Sequence, residues 1–294
     1  MPDDRPLPHG VLNPPEPDRW RLRRREPPPA LADAVAWLWA VGWDLEGRPD
    51  HEQSTLPHPS AHVVVEDGAA VVHGPTSGRF TRVLSGRGRV VAARFRAGGL
   101  AAFGPPVVMA ELVDRRLPAT EVVPGWGEEL VAAVDRIDDL DNLDDLDGAM
   151  ARLAAGLEAG LSTRSGPRGG SAPGSHPASG LRTAVRPAGA PEADAIVDRI
   201  AEDRTIRSVG DVAAATGHHR RQVERLLAAH VGLGPKAVIR RYRLQDAAAA
   251  AQSGDRVDWA ALAAELGYFD QAHLVRHFTE VIGCPPAAYA RRIG

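Results

Sequence analysis

Residues 217–245 read GHHRRQVERLLAAHVGLGPKAVIRRYRLQ and hold Arg220, Arg221, Arg225, Arg240, Arg241 and Arg243. A guanidinium carries a planar fork of donors that matches phosphate oxygens and the edge of guanine. In a chain of net charge −3 such a gathering points either to a polyanionic partner or to a solvated helix face. The neighbouring residues favour the partner. Val223, Leu226 and Leu227 recur at helical spacing and form a buried stripe. That leaves Arg221, Gln222, Glu224 and Arg225 on the far side, where Arg and Gln can form paired hydrogen bonds to base edges in a major groove. The arrangement recurs in DWAALAAELGYFDQAHLVRHFTEVIGCPPAAYARR (258–292). There Leu274, Phe278 and Val281 face inward, and Gln271, Ala272, Val275 and Arg276 face outward. A solvated face accounts for one such helix easily and for two, about 50 residues apart, poorly.

Other reactive residue types do not assemble into a site. His51, His58, His62 and His73 suggest a metal cluster, but Pro57 and Pro59 prevent a helix from aligning His58 with His62. They read as ordinary loop and strand histidines, and no metal or cofactor is expected. Cys284 is the single cysteine, which excludes an internal disulfide and multi-cysteine zinc sites. It lies in IGCPP and reads as a small packed residue, as His230, His273 and His277 read as helical packing positions. The SGRGR string at 85–89 reads as a hairpin turn rather than a phosphate loop, and no nucleophile elbow or P-loop is present.

The elements that must position the arginines are helical. EADAIVDRIAED (192–203) presents Ile196, Val197 and Ile200 on one face. Ser208 caps a short helix holding Val209, Val212 and Ala213, Gly217 supplies a turn, and His219 precedes the helix from Arg220. Short helix, glycine turn and amphipathic helix make a helix-turn-helix. The second unit has Trp259, Leu262, Ala263 and Leu266 in its short helix, a turn at Gly267 and an N-cap at Asp270. PKAVIRRYRLQDAAAAAQSG (235–254) joins the two as one helix, with Pro235 at its start and Gly254 past its end.

Upstream the pattern is β. Residues 1–29 are Pro-rich and expected to be disordered. ALADAVAWLWAVGW (30–43) reads as a strand entered through a short helical turn. AHVVVEDGAAVVH (61–73) reads as a hairpin about Asp67-Gly68, and FTRVLSGRGRVVAARF (80–95) repeats the pattern with turn glycines at Gly86 and Gly88. From 126 to 161 the period becomes helical, with Leu130, Val134, Ile137, Leu140, Leu143, Leu146, Met150, Leu153 and Leu157 in a stripe and a break near Asp141-Asn142. Those helices either pack on the β domain or pair two chains. STRSGPRGGSAPGSHPASG (162–180) is a linker with almost nothing to bury.

The segment 192–292 resembles the DNA-binding domain of the AraC/XylS family of bacterial transcription regulators. The strings that carry the resemblance are VGDVAAATGHHRRQVERLL, GLGPKAVIRRYRLQDA and LAAELGYFDQAHLVRHFTEVIGCPPAAYARR. By position it implies Arg221, Glu224 and Arg225, then Gln271, Ala272, Val275 and Arg276, as base-reading residues. It departs from the family at His218-His219-Arg220 and at Ala272. LPHPSAHVVVEDG, VHGPTSGRFTRVLSGRGRVVAARFRAGGLAAF and ELVDRRLPATEVVPG resemble, less specifically, the β-rich domain of one AraC-type subfamily, a region expected to sense a ligand or form dimers.

The expected fold class is α+β multidomain: an N-terminal antiparallel β-rich domain with following helices, then a C-terminal all-α double helix-turn-helix domain. The expected divisions are 1–29, a β-rich sensor or dimerisation domain at 30–161, a flexible linker at 162–191 and the DNA-binding domain at 192–294. Residues 194–294 carry 14 Lys+Arg against 12 Asp+Glu, a net of +2, and the rest a net of −5. Arg220, Arg240, Arg241 and Arg243 are candidates for phosphate, or for packing and salt bridges within the module. The expected partners are double-stranded DNA, RNA polymerase, a small-molecule effector whose binding residues are unassigned, and a second copy of the chain. No signal peptide or membrane span is read, so a cytoplasmic, non-enzymatic regulator is expected. Two alternatives remain open: an enzyme or repair protein with an appended module, and a ligand-independent DNA-binding protein whose β domain only dimerises.

Overall fold

A computed structural model describes residues 10–13, 19–135, 146–163, 183–253 and 256–293. Its N-terminal half is built on β1 (Trp20–Arg25), β2 (Val35–Asp44), β3 (His51–Thr55), β4 (His62–Glu66), β5 (Ala69–His73), β6 (Phe80–Leu84), β7 (Arg87–Phe95) and β8 (Arg116–Pro118). A six-stranded sheet runs β1-β2-β7-β4-β5-β8, and β3 pairs with β6 in a separate ribbon. All these pairings are antiparallel. The expected turn before β2 occupies residues 29–34. Asp67 and Gly68 close the β4–β5 hairpin with φ of 49° and 71°, both in the left-handed region that such a two-residue turn demands.

The β6–β7 segment departs from expectation, because the two strands lie in different sheets. Val90, Val91, Ala92 and Ala93 are all buried, so β7 is covered on both faces and takes the long strand β2 and the shorter β4 as neighbours. The β6 sequence, FTRVL, is mostly exposed and suits a ribbon. Gly88 sits against Trp43, where an added Cβ would clash with the indole. Residues 20–25, expected within a disordered stretch, form β1, and Leu12 is buried beside Leu56. The rest of that stretch, 1–9 and 14–18, lies outside the described residues.

One face of the large sheet packs on helices. Short α1 (Ala119–Val122) precedes α2 (Glu128–Asp135) and α3 (Leu146–Thr163). Leu146, Met150, Leu153, Leu157 and Leu161 bury against Leu38, Val63, Val72, Val91 and Phe95, with Trp126 stacked on Phe95. The stripe on α3 is therefore used within the chain. The break near Asp141-Asn142 lies outside the described residues, as does most of the linker. Residues 183–191, expected to be free linker, are tied to the β domain. Ala184 donates to the Ala30 carbonyl at 2.8 Å, and Arg186 pairs with Asp33 and Asp194.

The C-terminal half comprises α4 (Ala190–Glu202), α5 (Val209–Thr216), α6 (Arg220–His230), α7 (Pro235–Gln252), α8 (Trp259–Glu265), α9 (Gln271–Ile282) and α10 (Pro286–Ile293). It has two cores, and α7 belongs to both. Val238, Ile239 and Tyr242 pack with Ile196, Ile200, Val212, Val223 and Leu227. Leu244, Ala247, Ala248 and Ala251 pack with Ala263, Leu274, Phe278 and Tyr289. A helix buried in two cores shows little amphipathic contrast, which is why its sequence reads as uniformly mixed. No helix among the described residues is long and apolar enough to cross a membrane.

Candidate nucleic-acid interface

Local chemistry sets both helix-turn-helix units. The Ser208 hydroxyl accepts from Asp211 N–H, and the Asp211 carboxylate accepts from Ser208 N–H, a reciprocal capping box that starts α5. Gly217 ends α5 at φ 70°, where a side chain would be strained. In the second unit Asp258 accepts from Ala260 and Ala261 N–H at 3.0 Å, and Asp270 accepts from His273 N–H at 2.7 Å. Gly267 turns the chain at φ 77° against the Arg207 side chain. Inside the second unit the Tyr268 hydroxyl meets His277 Nδ1 at 2.8 Å. Burial, with Arg240 nearby, lowers the His277 pKa to about 4, so the ring is neutral at pH 7.

The outward faces carry the predicted readers. On α6, Val223, Leu226 and Leu227 are buried, and Arg221, Glu224 and Arg225 are exposed. On α9, Leu274 and Phe278 are fully buried, Gln271, Ala272 and Arg276 are exposed, and Val275 is half-buried. Arg221, Arg225 and Arg276 form no ion pair among the described residues. α6 thus exposes the donors of Arg221 and Arg225, and α9 those of Gln271 and Arg276, within the helix half that reaches base edges in helix-turn-helix motifs.

The four arginines set aside for phosphate divide in two. Arg240 is exposed on α7 beside the second unit, and Arg220 is exposed with its guanidinium against Gly210. Arg241 and Arg243 are 5% and 2% exposed. Arg243 donates to Asp246 at 2.7 Å and to the carbonyls of Ile200, Asp203 and Ile206. Arg241 donates to the carbonyls of Pro57 and Thr76 in the β domain. These two are internal ties, and the expectation that they meet phosphate is corrected by their burial. Phe269, immediately before the α9 cap, is 91% exposed beside these outward faces, a position that helical periodicity does not reach. A large apolar residue between a turn glycine and an N-cap was the signal available for it.

The β domain grips this module at several points. Gln245 donates to the Leu56 carbonyl at 2.6 Å, Arg79 to the Ile282 carbonyl at 2.6 Å, and Gly98 N–H to the His230 carbonyl at 2.9 Å. Tyr289 donates to the Leu12 carbonyl at 2.6 Å. Both units are thereby held by the N-terminal half. His51, His58, His62 and His73 take separate partners. His51 meets the Asn13 carbonyl, His58 meets Tyr242, His62 meets Trp39, and His73 packs edge-on to Phe80. Cys284 is half-buried against the second core.

Residues 212–292 match the family model described as a helix-turn-helix domain, and residues 23–118 match a domain of unknown function (DUF6597). No curated protein matches the chain. Among solved structures, ToxT from Vibrio cholerae in a P21 crystal form is 8% identical, covering 93% of this chain and 98% of that one at a TM-score of 0.40. ToxT from Vibrio cholerae O395 is 8% identical over 80% and 86% at 0.37. Unsaturated fatty acid-bound ToxT from strain SCE256 is 10% identical over 79% and 83% at 0.36. Likenesses this loose carry no functional inference.

Proposed function

We propose, from the premise that residues 212–292 form an AraC-type helix-turn-helix domain, that this chain is a transcription regulator reading two adjacent major grooves of double-stranded DNA. The observation that carries the reading is the pair of exposed polar faces on α6 and α9, set by one helix, α7, that is built into both cores. Arg221, Glu224 and Arg225 read one groove, and Gln271, Ala272, Val275 and Arg276 the next. Arg220 and Arg240 meet phosphate. Such a protein works in the cytoplasm beside the chromosome, meets RNA polymerase there, and acts without catalysis. A small-molecule effector and a second copy of the chain are the partners through which the β domain would set its activity.

Selection of bound sequences from random DNA with the full-length protein tests this. The expected product is one motif of two half-sites about one helical turn, roughly 10 base pairs, apart. Recovery of a single half-site would remove one of the two helices from the reading. Recovery of no motif would reject sequence-specific recognition by the unliganded protein.

A further inference from the structure

The face of the large sheet opposite α3 lines a half-open cavity of about 210 Å³ under the β3–β6 ribbon. Its walls are aromatic: Trp37, Trp39 and Trp43 alternate along β2, and Trp20 and Phe80 come from β1 and β6. For scale, an apolar protein cavity of about 150 Å³ holds benzene. One ring bearing a short polar arm fits the space.

The charge in this cavity is unbalanced. Glu66 is taken by Arg82 and Arg116. Arg24 and Arg94 have no carboxylate within ion-pair distance among the described residues, and both guanidinia lie over the Trp37 ring, Arg94 at 3.7 Å from its centroid. Arg94 Nε is buried without a hydrogen-bond partner, as are Trp20 Nε1 and Gln53 Oε1 in the same lining. Asp194 and Asp198 on α4 act on Arg94 only at a distance, and Asp194 is itself paired with Arg96 and Arg186. His62 adds no charge, since burial lowers its pKa to about 3 and its Nδ1 accepts from Trp39 Nε1 at 3.2 Å. Arg24 is exposed to solvent, whereas burial lowers the pKa of the half-buried Arg94; a desolvated cation without a counter-charge is unfavourable, and an entering anion relieves it.

The wall of this cavity is also the socket of α7. Leu56, Pro57 and His58 line the space. On their other side the Leu56 carbonyl accepts from Gln245, the Pro57 carbonyl from Arg241, and His58 Nδ1 meets the Tyr242 hydroxyl at 3.0 Å. His58 also stands edge-on to Trp37, with ring centroids 5.6 Å apart. One short loop therefore touches both the indole beneath the cations and the helix shared by the two DNA-reading units.

We infer that the cavity binds a small aromatic carboxylate, its ring among the tryptophans and its carboxylate on Arg94 and Arg24, and that α7 senses occupancy through Trp37, His58 and Tyr242. The ligand class stands on the cavity alone, and the α7 route rests on the reading of the chain as a DNA-binding regulator. Titration calorimetry of the full chain with benzoate, phenylacetate and the uncharged isostere benzamide tests the class. Both carboxylates are expected to bind one per chain, with benzamide at least tenfold weaker. Arg94→Gln is expected to erase that preference and Arg94→Lys to keep part of it, with thermal midpoints showing that each variant is folded. Should Arg94→Gln fail to fold, Arg24→Gln is expected to narrow the same gap. Equal affinity for benzamide, or no heat and no thermal shift from either carboxylate at millimolar concentration, overturns the class. For the route, binding to the selected DNA site is compared with and without benzoate. Benzoate is expected to change DNA affinity at least threefold, and Tyr242→Phe to diminish that change at unaltered benzoate affinity. An identical response in Tyr242→Phe overturns the route. Failure to select any DNA site would count against the regulator reading and leave the calorimetric result standing.

Discussion

Arg225 and Arg243 lie on neighbouring helices, and their identical side chains have opposite surroundings. Arg225 is exposed without an ion pair among the described residues, whereas Arg243 is sealed among Asp246 and three carbonyls. Arg225→Ala is expected to relax specificity at one base pair and weaken the preferred site by about 1–3 kcal/mol, read by repeating the sequence selection. An unchanged motif from a folded variant would remove Arg225 from the reading set. Arg243→Ala is expected to destabilise the fold by about 3–5 kcal/mol, because it leaves the carbonyls of Ile200, Asp203 and Ile206 without their donor and the buried Asp246 with Arg204 as its remaining partner. Arg240→Ala, by contrast, is expected to leave stability within about 0.5 kcal/mol and to lower the slope of log K against log salt by about 1. Denaturation midpoints and salt titrations of the two variants separate the roles, and a reduced salt slope in Arg243→Ala would restore it to the phosphate set. The outward positions on α6 and α9 were legible in the sequence because helical periodicity alone divides inside from outside. The burial of Arg241 and Arg243 was not, since the carbonyls they meet come from other elements, in the case of Arg241 from a loop 184 residues away.

At the scale of elements, caps and turns follow from groups within a few residues of one another. Ser208→Ala removes the α5 capping box and is expected to cost about 0.5–2 kcal/mol in chemical denaturation, with the Gly217 turn retained. A cost near zero would mean that solvent replaces the cap. Strand pairing obeys a different logic. Asp67-Gly68 was legible as a hairpin because both residues tolerate positive φ. Gly86 and Gly88 suggested a second hairpin, yet β7 is apolar on both faces and goes to the sheet centre. Three histidines, His62 and His73 half-buried on β4 and β5 and His277 buried on α9, set an acid limit. Burial, aided by Arg94, Arg116 and Arg240 respectively, lowers His62 to about 3, His73 to about 4 and His277 to about 4, against an ordinary 6.5. The unfolded chain takes up these protons first. Their contribution is complete above pH 6.5 and is lost as pH falls towards 4 and below. Asp198, raised by burial and by Asp194, works in the opposite direction. Thermal midpoints are expected to fall between pH 7 and pH 4.5, and a flat profile there would contradict neutral rings.

At the scale of the whole molecule, the two halves are joined by hydrogen bonds from buried side chains. Arg241, Gln245 and Tyr289 of the helical module all bond to the N-terminal half, and Arg79 returns the contact to α9. Calorimetric unfolding of the full chain is expected to show one transition. The Arg241→Ala/Gln245→Ala double variant, which empties the α7 socket without touching the DNA-reading faces, is expected to resolve two. A single transition in the double variant would place the coupling elsewhere in the interface.

The sequence by itself determined the class of the fold, the two helix-turn-helix units, their caps and their outward faces. These depend on spacing, on residues that tolerate a turn, and on polar side chains that reach a nearby backbone N–H. The tertiary structure alone decided the sheet order, the fate of two of the six arginines, and the meeting of cavity, loop and α7. His58 and Tyr242 are 184 residues apart, and Gln245 and Leu56 are 189 apart. No local pattern records such a pairing, because the energy that selects it comes from how two separately patterned halves exclude water between them.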